Sequence, residues 1–389
     1  CTQGPTGATC EGATVTWREV QPLFGWWRND LWTEGRPSNF TKCPFPPACL
    51  GASNVFFKNQ YIDPISGKDP AVHNRNESCN DADGYATLCD RRKDQRCRLC
   101  AACAPGFRRG DGGSMRCLQC PPGEANKVLL SVGVLVVLGV LAFMIVDHMV
   151  GGGKIDLANM KQMIVINYFQ LTYMIAGANV SWPEPLRVLF DIEGAISTIG
   201  EHLLNPACEL THVPAAEIVY SKQVVYLFVL PVLLLCAKVF WFTMAKCQGR
   251  PFRYRGINER SPSHKDGSVA TIVFLMYLMY PTLCRQAFAL LVCTKVDEVF
   301  YLEADLQEEC YTGRHFVYLM CCTVPQIVLH VLGIPLRGLF VTNRSRQQKR
   351  KMHPSIALFR YGMLHSAFGP ERWYWGAVVA SRKAAIVFV

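Results

Sequence analysis

Residues 128–146 read VLLSVGVLVVLGVLAFMIV, nineteen positions without a charge. At 1.5 Å per residue such a helix covers about 28 Å, close to the ~30 Å hydrocarbon layer of a bilayer. This run divides the chain. Residues 1–126 are polar and turn-rich, whereas almost every long apolar run lies beyond Lys127. Further spans are predicted at Met163–Ala178, Val219–Ala245, Ser268–Cys293 and Phe316–Leu336, with a sixth opening at Trp373 and running into Val389. The predicted fold is a membrane all-α helical bundle of about six transmembrane helices, preceded by a small disulfide-rich, loop/β extracellular domain. The domains are 1–126 and 127–389. The chain opens on Cys1 and stops inside the apolar run Ala384–Val389, so both ends are expected to be cut.

The segment before the first span carries 15 Lys/Arg against 13 Asp/Glu and 11 of the 19 cysteines. Dense cysteine with little hydrophobic patterning marks a fold stapled by disulfides in an oxidising compartment. The central pattern is Cys97-x-x-Cys100-x-x-Cys103, then Gly106-Phe107, then Cys117-x-x-Cys120-Pro121. Paired CxxC motifs also hold zinc, but a secreted location favours disulfides, so no metal and no cofactor is expected. Sequons at Asn39, Asn76 and Asn179 are candidate glycosylation sites. The aromatic residues Trp17, Phe24, Trp26, Trp27 and Trp32 supply either a core or a sugar-stacking face, with core preferred.

Loop charge orients the bundle, because short cytoplasmic loops accumulate Lys and Arg. Loop 247–267 carries five basic residues and loop 342–372 carries seven, whereas 183–218 and 294–315 hold three between them against six acidic residues each. The head and the latter two loops are therefore placed outside, and Asn343 should carry no glycan. Within 183–218, Leu189, Ile192, Ile196, Ile199 and Leu203 recur at helical spacing, as expected of an amphipathic helix on the outer leaflet or packed under the head. The net charge of +10 follows the inner loops, so it argues for membrane lipid and against nucleic acid.

Cysteine parity extends this picture. An odd number in the head leaves one thiol over, and Cys208, Cys293 and Cys310 lie on the same side. Cys293 and Cys310 can close their own loop, leaving Cys208 to meet a head cysteine. Cys236, Cys247, Cys284, Cys321 and Cys322 should be free thiols. Charges inside apolar helices are costly and hence functional candidates: Lys238, Arg285, Arg382 and Lys383. Arg285 follows Pro281 by four residues, where the helix lacks a hydrogen bond. There is no HExxH, GxSxG, P-loop or GxGxxG pattern, and the chain is not read as an enzyme.

The order Cys43-Pro44, Ala48-Cys49-Leu50-Gly51, Gly84-Tyr85, Leu88-Cys89 and Cys120-Pro121, followed by Asn167-Tyr168-Phe169-Gln170, Ser181-Trp182-Pro183, Met279-Tyr280-Pro281, Gly333-Ile334-Pro335, Tyr361-Gly362 and Trp373-Tyr374-Trp375, resembles large multi-pass membrane proteins of algae, oomycetes and other protists. Those proteins carry EGF-like or ephrin-receptor-like cysteine repeats before a TRP-channel-like membrane region, and an EGF-like/TNFR-like part is expected here at about residues 79–121. The segment Asp90–Arg96 departs from the tighter spacing of such repeats, so pairing there is not carried over. The resemblance implies a channel-type or sensory subunit at the plasma or ciliary membrane. The competing reading is an anchor or adhesion receptor that holds an extracellular protein or glycan. Either is compatible with an oligomer.

Overall fold

The computed structural model describes residues 5–9, 20–29, 39–57, 77–90, 95–109, 116–120, 157–176, 208, 215–248, 263–347, 354–365 and 372–388, together with isolated positions between 122 and 139 and at 183 and 185. The chain forms two units. One holds Cys1–Asn126, Pro206–Val219 and Leu291–Phe316; the other holds Lys127–Asn205, Tyr220–Leu290 and Val317–Val389. The 294–315 loop and the end of the 183–218 loop, from Pro206, therefore belong to the same folded body as the head.

The first unit is built of short antiparallel pairs. Trp26–Arg28 pairs with Phe40–Lys42, Cys49–Leu50 with Ser78–Cys79, Leu88–Asp90 with Gln95–Arg96, and Phe107–Arg109 with Cys117–Gln119. Ladders of two or three residues have no independent stability. The second outer loop is itself a three-stranded meander of Cys293–Val296, Val299–Leu302 and Asp305–Glu309. The predicted span Ser268–Cys293 is accordingly shorter at its end, because Cys293 opens a strand. One core joins the head to the meander: Trp27, Tyr85, Leu99 and Cys100 pack with Val296, Tyr301 and Leu306. Phe24 and Trp27 are buried, which makes them core, while Trp17 and Trp32 lie outside the described residues. Gly84 turns with φ of +82° so that Phe107 can lie against its backbone, where a Cβ would stand 2.2 Å from Phe107 Cδ1.

The second unit is helical. Its described helices are α1 (Leu157–Ala176), α2 (Ala215–Gln248, whose first residues belong to the first unit), α3 (His264–Phe288), α4 (the run 313–347), α5 (Pro354–His365) and α6 (Trp375–Phe388). Within α4, Leu319–Thr323 and Ile327–Leu332 are π-helical. Helix α3 is the hub, with fifteen buried residues. Ile166 of α1 packs on Val273, Phe274 and Leu278; Trp241 of α2 and Phe359 of α5 meet Ala270; Val331 of α4 joins Tyr280, Cys284 and Ala287. Helix α2 turns Val225, Phe228, Val232, Leu235, Val239 and Phe242 outward at alternating spacings of three and four. A continuous exposed apolar stripe of this length suits lipid and not water.

Three helices are long and apolar enough to cross a membrane among the described residues: Ala216–Cys247, His264–Phe288 and Gly313–Arg344. Six were expected. Residues 128–146 lie mostly outside the described residues, α1 is helical but less apolar, and α6 as described spans 14 residues, about 21 Å, short of a full crossing. The amphipathic stretch 189–203 is also outside the described residues. Loop 342–372 is not irregular throughout, since it contains α5, which lies on α3.

Helix α3 starts with a capping box in which Asp266 Oδ2 accepts from the backbone N–H and hydroxyl of Ser263 at 2.7 and 2.9 Å. Asp266 is buried, and its other oxygen pairs with Arg360 of α5. Removing the cation alone leaves a buried carboxylate without its partner. Arg360→Ala should lower stability in nanodiscs by about 2 kcal/mol, discounted for the part-exposed guanidinium. Adding Asp266→Asn should recover part of that loss; a double variant as weak as the sum of the two single ones would show that the pair is not coupled.

Candidate functional site

The groups that gather most densely lie where the head meets the outer loops, inside the first unit. Five described bridges involve head cysteines: Cys43–Cys49, Cys79–Cys100, Cys89–Cys97, Cys103–Cys117 and Cys120–Cys208. A sixth joins Cys293 to Cys310 at 1.94 Å across the meander. No CxxC pair bonds internally. Cys97 turns back to Cys89, across the very segment that departs from the repeat pattern, while Cys100 reaches Cys79, so every thiol of this run is consumed and none is left to hold zinc. Cys1 and Cys10 lie outside the described residues. Cys236, Cys247, Cys284, Cys321 and Cys322 are free thiols.

Arginines complete the junction. Arg98 donates to the Leu306 carbonyl at 2.6 Å and stacks 3.7 Å over the Tyr301 ring. Arg109 donates to the carbonyls of Glu303 and Ala304 at 3.0 and 2.7 Å. Its burial pushes the guanidinium down from its ordinary range, and the nearby carboxylates of Asp305 and Glu303 oppose that shift. Asp305 also accepts from the backbone N–H of Ala216 at 2.9 Å, placing a negative charge on the first turn of α2. Arg314 pairs with Glu308 at 2.7 Å and with Glu217 at 3.6 Å. Tyr85 is buried, its hydroxyl accepting from the Cys117 N–H at 3.4 Å, and burial raises its pKa to about 12. His315, fully buried, comes close to the Cys293–Cys310 sulfurs, and its Nδ1 accepts from the Tyr311 N–H at 3.0 Å.

Asn39 is exposed, and its Nδ2 donates to Asp297 Oδ1 at 3.1 Å. Asn76 and Asn179 lie outside the described residues; Asn343 is exposed on α4. The charges singled out within the helices are not gathered into one site. Lys238 and Arg382 are exposed, and Arg285 is half-buried and engaged. Lys383 is buried: its Nζ donates to Gln170 Oε1 at 2.6 Å and lies 4.9 Å from the Tyr277 ring centroid. Buried Gln223, Thr323 and Gln326 carry no charge to mark them in the sequence; a glutamine inside an apolar run is the signal that could find them.

A stretch of 152 residues is 26% identical to "Cysteine repeat modular protein A" of Toxoplasma gondii. It covers 36% of this chain and 5% of that curated relative, so the chain corresponds to a small part of the relative's length. No family model matches the chain, and no solved structure matches it. The similarity is to a cysteine-repeat protein, and no TRP-channel family is shown by it.

Two outcomes test the junction. Non-reducing peptide mapping should recover one cross-linked fragment containing Cys120 and Cys208, and by the chain-entropy argument a loop of 88 residues stabilises by on the order of 4–5 kcal/mol. Recovery of both as free thiols would exclude the bridge. Arg109→Met should cost about 2–3 kcal/mol by abandoning two meander carbonyls. Arg109→Lys should restore little, because one ammonium does not reproduce the fork.

Proposed function

We propose that this chain is a multi-pass anchor or adhesion receptor whose disulfide-rich head holds an extracellular protein or glycan at the plasma membrane, without catalysis. One observation carries this reading. The head core continues into the meander, so the head, Pro206–Val219 and Leu291–Phe316 are one folded body that connects directly in the chain to α2, α3 and α4. A pull on such a head passes into several helices and not into a single linker. Cys120–Cys208 adds a covalent path.

A second reading, a TRP-like channel-type or sensory subunit, is favoured by buried Lys383 with Gln170 and by the glutamines between α2, α3 and α4. Buried polar groups in apolar helices often mark pathways. A span at 128–146 would, on either reading, require α1 to return to the head side, since Cys120 and Cys208 share a folded unit.

Both are tested with proteoliposomes carrying the full chain. Attachment to surfaces coated with matrix protein or glycan should resist flow, and Cys120→Ser/Cys208→Ser vesicles should detach at lower shear. Flux of a monovalent-cation dye system should equal that of empty vesicles. Flux above that background without attachment would replace the first reading by the second.

A further inference from the structure

Two glutamines in the bundle are satisfied at only one end. Gln223 of α2 and Gln326 of α4 are both fully buried. Gln326 Nε2 donates to the Gln223 backbone carbonyl at 2.8 Å, and Gln223 Nε2 donates to the Gln286 carbonyl of α3 at 2.7 Å. A carbonyl only accepts, so these bonds settle which end of each amide is nitrogen. The oxygens then stand alone: Gln223 Oε1 and Gln326 Oε1 have no protein partner, and neither has Thr323 Oγ1, also fully buried. Thr323 precedes Gln326 by three residues and so shares its face of α4. The three groups sit at one level, since Tyr220 and Tyr318 stack with ring centroids 4.2 Å apart about one turn before Gln223 and Thr323, holding α2 against α4. Thr323 ends one π-helical stretch, and Gln326 directly precedes the other. Such stretches recur where helices are shaped around a site.

We propose that Gln223, Thr323 and Gln326 ligate a partly dehydrated monovalent cation between α2 and α4. Neutral carbonyl and hydroxyl oxygens replace the hydration of such ions, whereas divalent ions generally recruit carboxylates. The described bundle carboxylate, Asp266, is committed to Ser263 and Arg360. His330 Nδ1, one turn further along the same face, is a fourth buried polar atom without a partner. Arg285 adjoins Gln286 on α3 and is engaged by other groups. Water is the rival occupant, since it can donate to two of these oxygens. The proposal is independent of the attachment reading: an anchor can be held together by an ion, and a channel can pass one.

Water and a cation are separated by comparing salts at equal ionic strength. The full chain in nanodiscs should unfold about 2–4 °C higher, and saturably, in sodium or potassium chloride than in N-methyl-D-glucamine chloride. Gln326→Leu and Thr323→Val should each abolish that increment. Should Gln326→Leu not fold, sodium-23 line broadening by the wild-type chain, lost in Thr323→Val, reads the same site. Equal midpoints in the three salts, or an increment that both variants keep, would overturn the cation and leave the oxygens to water.

Discussion

The bridge from Cys120 to Cys208 closes a loop that contains the apolar run 128–146 and α1, and it returns the chain to the folded body it left. The meander imposes the same condition on the next excursion, because α2 departs from that body at Val219 and the chain re-enters it after α3, at Leu291. An excursion that begins and ends on one side of a membrane crosses it an even number of times. Among the three helices long and apolar enough to cross a membrane, α2 and α3 form one such excursion and α4 begins another. The return of the chain to one body follows from a covalent bond and a shared core, not from hydropathy.

The two units solve opposite problems. The head has too few apolar side chains for its length and ladders too short to persist, so bridges and arginine contacts supply what a core does not. The helices have apolar surface in excess, yet lipid is as apolar as leucine and gives little drive for helices to associate. Their order comes from close packing on α3 and from polar bonds such as Gln223 to the Gln286 carbonyl, Lys383 to Gln170, and Asp266 to Arg360. These are few, and each is a place where a substitution would be felt beyond its own contacts.

The junction gives arginines of the head and acidic residues of the 294–315 loop a shared structural use. Arg98 and Arg109 reach backbone carbonyls, while Asp305 and Glu303 lie beside Arg109 and lessen the cost of burying it. Charge that looks like mere membrane topology in a loop count therefore also serves as docking chemistry. Glu308 and Glu217 pair with Arg314, an exposed arginine of the loop itself.

By itself the sequence determined the long apolar helices and the disulfide chemistry of the head, because hydropathy and cysteine density act locally and survive without a fold. Parity among cysteines pointed to Cys208 and to the pair Cys293 and Cys310. Which head cysteine meets Cys208, and that Cys97 meets Cys89 across the segment Asp90–Arg96, depended on how hairpins stack, a matter of long-range geometry. Tertiary structure alone decided that the 294–315 loop is a meander sharing the head's core, that α3 is the hub, and that Lys383 is buried while Arg382 beside it is exposed. Adjacent residues on a helix point about 100° apart, so a pair of like charges in sequence says nothing about which one faces its neighbours until those neighbours are in place.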